Sequence, residues 1–450
     1  MKRSKIRLFA SQAFKTDLAL VGFVCSAAVI FAEPPRLVNY DESKAGGYEL
    51  EDPLVAADGR RITSPADWPA RRREILSVLE KEEYGVWPAK PETLVIDRTG
   101  EAPIMYETAV RRHYAMYFRS DRTGPRIDWM LMMPRECKER PPVIVILNYR
   151  GNQELLPDAD IPIMDAWVPG RCVPKDAAVP NRMDARSRGF MRWPFDTVLA
   201  RGYAVLTACY QQLATDAETK EMTVGQMREN GCYRLWPKGQ DTGALAVWGW
   251  GICRGLDLAE RIPELEADKS VAFGYSRLGK AALLAGAFDE RFKVIVPCQT
   301  GGGGVPLQKR DYGENAYWMT RVFPHWFGSG YFKYDGKEKQ MPFDQHFLLA
   351  AVAPRHLLVE GFNEAWYDPK GEYLACRAAS PVWEFLGKRG LPGETMPETY
   401  STAAIGPHLG YVRRNGSHGI SGYDWNWMLD FADQALGLRP SDSVVPNRFL

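Results

Sequence analysis

The chain has 450 residues, 45% hydrophobic and 25% charged, the balance of an ordinary globular protein with room for a large core. Its 57 basic and 56 acidic side chains leave a formal charge of +1, which excludes the basic footprint of a nucleic-acid binder. Aromatic content is the unusual quantity, with 14 Trp, 20 Tyr and 19 Phe: most will be core, but such rings also supply the flat apolar faces on which sugars and phenols stack.

In chain order, Lys2, Arg3, Lys5, Arg7 and Lys15 precede an uncharged run from Leu18 to Ala32, after which comes Glu33-Pro34-Pro35. The run is shorter than the roughly 20 residues that span a bilayer, so residues 1–32 read as a secretory signal peptide cleaved near Ala32, and the mature protein as secreted or periplasmic rather than membrane-held. Residues 33–63 are polar and read as an extended N-terminal segment; 64–437 read as one catalytic domain and 438–450 as a tail. Eight cysteines, with no C-x-x-C pair and no Cys/His cluster, argue against a structural zinc site, and no metal or other cofactor is expected. Signal removal leaves seven, so at least one thiol is expected to be free.

Ser64-Pro65-Ala66-Asp67-Trp68-Pro69 predicts a helix start, and Ile75, Leu76, Val78 and Leu79 continue it at helical spacing, with Arg71-Arg72-Arg73 as the solvated face. From Glu92 to Met133, runs such as Thr93 to Ile96 and Trp129 to Met133 predict strands and hairpins, the antiparallel opening of a mixed sheet. The apolar run Pro141 to Leu147 predicts a fully buried strand ending in the loop Asn148-Tyr149-Arg150-Gly151-Asn152. Residues 153–193 lack periodicity and read as a surface insertion. Helices and strands then alternate: a helix Phe195 to Arg201, a strand Tyr203 to Thr207, a helix Leu245 to Ile262, a strand before Ser276, a helix to Phe288 and a strand Lys293 to Val296. The four glycines Gly301 to Gly304 lack the companions of a phosphate loop and read as a flexible loop bordering the site, opening a second insertion over 301–332. A helix Asp344 to Ala351, a strand His356 to Glu360, a helix Gly371 to Leu386, a strand Leu409 to Arg413 and a helix Tyr423 to Leu436 complete the pattern. Such β-α repetition predicts a three-layer α-β-α sandwich around a mixed, mostly parallel sheet.

The chemistry centres on Gly274-Tyr275-Ser276-Arg277-Leu278-Gly279-Lys280, where the apolar run Val271-Ala272-Phe273 gives way to Ala281-Ala282-Leu283-Leu284-Ala285. Strand, sharp turn and helix with serine at the apex make the nucleophile elbow of an α/β-hydrolase, though glycine stands three places after the serine where two is usual. Chain order in that fold puts the acid and then the histidine after the serine. His418, in the glycine-flanked loop Asn415-Gly416-Ser417-His418-Gly419 between the last strand and helix, is the expected base, with His408 its competitor; His346 and His356 fall inside elements and read as packed. The loop after His356 to Glu360 offers Glu364 and Asp368 as the acid; Asp368-Pro369 also suits a helix cap, so Glu364 is the better candidate. Arg277, next to the nucleophile, can bring its N–H and a fixed positive charge to an oxyanion. Lys280, one helical turn beyond Ser276, lies on the same face.

Three stretches, 274 to 280, Glu364-Ala365-Trp366-Tyr367-Asp368-Pro369-Lys370-Gly371-Glu372, and His418 followed by Tyr423-Asp424-Trp425, together resemble the glucuronoyl esterases, carbohydrate esterase family 15, especially bacterial members. Leu147 to Asn152 and Asp344-Gln345-His346 share in the resemblance, which spans most of residues 64 to 437. It implies an α/β-hydrolase fold and cleavage of esters between (4-O-methyl)glucuronate on xylan and lignin alcohols, with Ser276 as nucleophile, His418 as base and Arg277 as oxyanion stabiliser. It further implies that Lys280, Glu314 of Gly313-Glu314-Asn315 and Trp366 bind the glucuronate. Two positions depart from the family pattern: Tyr275 replaces the usual cysteine, and Gln299 stands where many members carry their acid, which moves that role to Glu364. The expected partner is glucuronoxylan or a small uronate ester, met by a monomer. Other readings of the same residues are an esterase for acetyl or aryl carbohydrate esters and a silent carbohydrate-binding relative.

Overall fold

The computed structural model describes residues 38–158, 160–164, 166 and 193–438. The predicted signal peptide, most of the first insertion and the tail lie outside them. Nine strands form one sheet: β1 (Val95–Ile104), β2 (Ala109–Tyr117), β3 (Arg126–Pro134), β4 (Pro142–Asn148), β5 (Ala204–Cys209), β6 (Glu266–Tyr275), β7 (Val294–Cys298), β8 (His356–Phe362) and β9 (Leu409–Arg414). Their order is β1-β2-β3-β5-β4-β6-β7-β8-β9. The first three strands and β5 pair antiparallel, and every pairing from β5 to β9 is parallel.

Nine α-helices accompany the sheet among the described residues: α1 (Trp68–Leu79), α2 (Phe195–Ala200), α3 (Val224–Met227), α4 (Ala244–Ala259), α5 (Arg277–Phe288), α6 (Ala316–Val322), α7 (His346–Ala350), α8 (Pro369–Phe385) and α9 (Gly422–Ala435). Period-two alternation sorts each parallel strand between two cores. Val143, Val145 and Leu147 of β4 join a core with α4, α5 and α8, whereas Ile144 and Ile146 face the other way, toward Phe195 of α2 and Trp425 of α9. This is the three-layer sandwich with a mixed, mostly parallel sheet that the sequence pattern implied.

Several local expectations change. The Arg71-Arg72-Arg73 triplet is not a solvated face, because Arg71 and Arg72 are buried. Arg72 Nε donates to Ala351 O at 2.7 Å and its Nη2 to Ala287 O, satisfying carbonyls left over at the ends of α7 and α5, while Arg71 Nε donates to Pro53 O at 3.0 Å. The glycine run is no slack loop: Gly301 to Gly304 are all buried, and a Cβ on Gly302 would sit 2.1 Å from the Glu314 carbonyl oxygen. Tyr84 Oη donates to Gly303 O at 3.1 Å from beneath. The 301–332 stretch forms packed 3-10 turns and α6, with Trp318, Trp326, Phe327 and Tyr331 in the core. Six described cysteines, 137, 209, 232, 253, 298 and 376, carry free thiols. No described helix is long and apolar enough to cross a membrane.

Candidate active site

Ser276 joins β6 to α5 at φ 56° and ψ −135°, a conformation that L-residues occupy only when the surroundings enforce it. The surroundings do so through backbone: Ser276 N donates to Cys298 O at 2.8 Å, and Gly279 N and Lys280 N donate back to Ser276 O at 2.9 and 3.1 Å. The glycines are fixed by close approach. A Cβ on Gly274 would lie 2.3 Å from Leu278 O, and one on Gly279 would lie 2.8 Å from Cys298 O. The turn therefore needs its second glycine three places after the serine, where the sequence has it.

Arg277 begins α5 and turns its guanidinium into a buried anion site. Nη1 pairs with Asp216 Oδ2, and Asp216 also accepts from Trp326 Nε1 at 2.9 Å and Tyr210 Oη at 2.9 Å and meets His325 Nε2 at 2.8 Å. Although burial opposes it, the Arg277 charge, helped by His325 and Trp326, holds the Asp216 carboxyl below its ordinary range. The guanidinium lies 4.8 Å from the Trp326 ring centroid and 5.3 Å from that of Phe323. Its Nε is buried with no hydrogen-bond partner, one donor of a fixed cation left over on the residue next to Ser276. Tyr149, from the loop after β4, donates to Tyr275 O at 2.7 Å, and its ring lies tilted 5.0 Å from that of Tyr275.

His418 comes from the loop between β9 and α9. Its ring lies 4.6 Å from the Tyr367 ring, nearly parallel, and 5.8 Å from the Tyr275 ring. Arg414 holds the loop as a hub: Nη1 donates to Asn415 O at 3.1 Å and Ser417 O at 3.3 Å, Nη2 donates to Gly419 O, and Nε meets both oxygens of Asp424 at 2.9 and 3.0 Å. Gln299 adds a two-way clasp, its Nε2 donating to Gly419 O at 3.1 Å and its Oε1 accepting from Gly419 N at 3.0 Å. Burial first, then the positive charges of Arg277, Lys280 and Arg414, pushes the imidazole down to about 3. It is thus the neutral form that waits at the elbow. His408, the competitor, precedes β9 and stacks on His356 with centroids 5.1 Å apart, at the N-terminal ends of the parallel strands, away from Ser276 at the C-terminal end of β6. His346 Nε2 meets Glu51 O and His356 Nδ1 meets Pro407 O, both at 2.8 Å.

Glu364 lies half-buried in the loop after β8, and burial raises its carboxyl. It is not hydrogen-bonded to the imidazole, whose Nδ1 is buried without a partner. The two loops are nevertheless tied, since Asn363 Nδ2 donates to Asn415 Oδ1 at 2.9 Å. Asp368 acts as the helix cap, accepting from Gly371 N at 2.9 Å and from Arg310 Nε at 2.8 Å. Lys280 is buried; its Nζ meets Glu314 Oε2 at 3.2 Å and sits 4.8 Å over the Trp326 ring. Burial lowers the Lys280 amine despite that carboxylate. Glu314 and Trp366 line one cleft with Tyr312 and Tyr367. The structure thus gathers Ser276, Arg277, Lys280, His418, Glu314 and Trp366 beyond the C-terminal ends of the parallel strands, with Glu364 half-buried in the loop after β8.

A profile of fungal glucuronyl esterases matches residues 189–387. Carbohydrate esterase MZ0003, from an unknown prokaryotic organism, is 33% identical over 90% of this chain and 94% of its own length. The chain belongs to the glucuronoyl esterases, carbohydrate esterase family 15. A glucuronoyl esterase structure from Solibacter usitatus superimposes with a TM-score of 0.79 at 34% identity, covering 88% of this chain and 100% of that one. A 4-O-methyl-glucuronoyl methylesterase from Wolfiporia cocos is 26% identical over 83% of this chain and 80% of its own. The protein is a carboxylic ester hydrolase of that family.

Within this glucuronoyl esterase, sequence reasoning passed over Asp216 and Arg414. Asp216 stands in the irregular stretch after β5 with no motif around it, whereas Arg414, ending a strand just before the histidine loop, offered a positional signal. Among the described residues one group has ligand atoms close enough for a cation: Cys298, Glu360 and Asp424, all within 4.8 Å of one another beneath the His418 loop. Arg414 already holds both oxygens of Asp424. Burial pushes the Glu360 carboxyl and the Cys298 thiol well above their ordinary values, which disfavours the anionic forms that bind a cation.

Proposed function

We propose that this glucuronoyl esterase hydrolyses esters of glucuronate or its 4-O-methyl ether, as in the lignin-carbohydrate linkages of glucuronoxylan, through an acyl-enzyme on Ser276. The observation that carries the substrate class is the buried Lys280–Glu314 pair one helical turn from the nucleophile, with Glu314 lining the same cleft as Trp366. An amine, a carboxylate and an indole together can donate to, accept from and stack upon a hydroxylated ring. Neutral His418 takes the Ser276 proton as the hydroxyl oxygen attacks the ester carbonyl, and Arg277 Nε–H meets the oxyanion that develops. His418 returns the proton to the departing alcohol, and water then repeats the cycle to release the acid. Glu364 is the carboxylate assigned to the imidazolium. The amide at Gln299 is committed to Gly419, whereas Glu364 belongs to a loop that Asn363 ties to the histidine loop. Residues 1–32 direct the enzyme out of the cytoplasm, toward polymeric substrates that lie outside the cell.

Rates on a methyl glucuronate ester, acetylated xylose and p-nitrophenyl acetate test the substrate class: preference for the glucuronate ester is expected, and preference for acetyl esters would overturn it. On benzyl glucuronate, Glu364→Ala is expected to lose more turnover than Gln299→Ala, and near-normal turnover of the Glu364 variant would sink its assignment.

A further inference from the structure

The segment before Thr63 is anchored at the cleft's outer end. Lys309 Nζ holds the Glu51 carboxylate at 2.6 Å and donates to Glu49 O at 3.1 Å, His346 meets Glu51 O at 2.8 Å, and Arg310 Nη2 pairs with Glu42 at 2.9 Å. Gly313 N donates to Asn39 O at 2.9 Å, which sets the next residue, Tyr40, against the cleft. Tyr40 is 41% exposed, and its ring meets that of Tyr312 edge-on with centroids 6.2 Å apart. Tyr312 lines the same cleft as Glu314 and Trp366, and Arg310, itself fixed by Asp368, lies 5.6 Å from its ring centroid. Two tyrosines, one delivered by the N-terminal segment, thus extend the cleft beyond Trp366 on a fixed base.

The sheet order says what reaches them. Tyr149 follows β4, on one side of β6 and Ser276, while the cleft residues Glu314, Trp366 and Tyr367 come from the connections after β7 and β8, on the other side. A uronate ring held on the β7–β8 side by Glu314 and Trp366 would have Tyr312 and Tyr40 next along the same side for any sugar bonded to it.

We infer that Tyr40 and Tyr312 form a binding subsite for the neutral pyranose chain that bears the uronate, a subsite contributed in part by the N-terminal segment. This rests on the uronate reading above. Tyrosine rings suit neutral sugars because their faces cover the axial C–H patch while the hydroxyls stay wet. Burial and the carboxylates of Glu364 and Glu314 raise the Tyr40 hydroxyl, so it stays a neutral donor at the rim.

The test compares two benzyl esters, one of glucuronate alone and one of glucuronate linked to a short xylo-oligosaccharide. For Tyr40→Ala and Tyr312→Ala, the ratio of kcat/KM on the chain-bearing ester to that on the small ester is expected to fall about 3- to 10-fold, carried by KM, the size of one aromatic contact. Tyr40→Phe keeps the stacking face and is expected to keep the wild-type ratio. Equal losses on both esters, or an unmoved ratio in both alanine variants, would overturn the subsite. Failure of the parent reading is distinct: the wild type itself would then turn over neither glucuronate ester.

Discussion

Asp216 concentrates four partners on one carboxylate, and its value lies in what it does to Arg277. A buried guanidinium without a counter-charge is costly, and removing one member of such a pair typically costs about 3–5 kcal/mol. Asp216→Ala is therefore expected to lower unfolding free energy by that order in urea titrations and to cut kcat more than it raises KM, since a released guanidinium no longer aims Nε at the oxyanion. If Asp216 acts through Arg277, the two alanine substitutions will be strongly non-additive in kcat/KM; additive effects would show separate roles. His418 makes a second prediction at this scale. A base works while neutral, and a pKa driven from the usual 6.5 toward 3 keeps it neutral as pH falls. The acid limb of kcat/KM is expected well below pH 6, so that activity at pH 5.5 stays close to that at pH 7. Half-loss between pH 6 and 7 would mean that the imidazole titrates like a free one.

At the scale of elements, the loop from Asn415 to Gly419 shows how a short irregular segment can hold an imidazole in place. Arg414 bonds the carbonyls on either side of His418 while Asp424, at the start of α9, fixes the guanidinium itself. Lysine keeps the charge at 414 but cannot span three carbonyls and a carboxylate at once, because its donors converge on a single atom. Arg414→Lys is expected to reduce kcat about 10-fold or more, the scale of a lost general-base alignment, with KM little changed. Loss confined to KM would show that the loop serves the substrate instead. The elbow and the order of strands were legible because they are written in local patterns: an apolar run, then glycines at the spacing set by Leu278 O and Cys298 O. Arg414, Gln299 and Asp216 act on residues far away in sequence, and no periodicity encodes which carbonyl a guanidinium will find. The same blindness made Arg71 and Arg72 look solvated, when the carbonyls of Ala351, Ala287 and Pro53 lie above them.

Across the whole molecule, buried titratable groups fall into two opposed sets, and their balance fixes how stability depends on pH. Burial pushes Glu83 up to about 8, Glu338 to about 7 and Asp344 to about 6, and drives Glu360 and Glu372 well above the ordinary carboxyl range. A carboxyl whose folded pKa is raised contributes its stability below the unfolded value, near 4.5 for Glu, and loses it as pH rises through the folded value. Burial lowers His346 to about 4 and His418 to about 3 and also depresses His356 and His408. Those imidazoles gain protons only on unfolding, so their contribution is complete above the unfolded value near 6.5 and is lost as pH falls below it. Between about pH 5 and 6 neither set has discharged its full cost, and the melting temperature is expected to peak there and to fall toward both pH 8 and pH 4. Scanning calorimetry across that range checks the sign on each side. Glu83→Gln offers an internal control, because it cannot ionise: its melting temperature should decline less steeply between pH 6 and 8 than that of the wild type. Parallel curves over that interval would show that Glu83 does not release its proton in the folded protein.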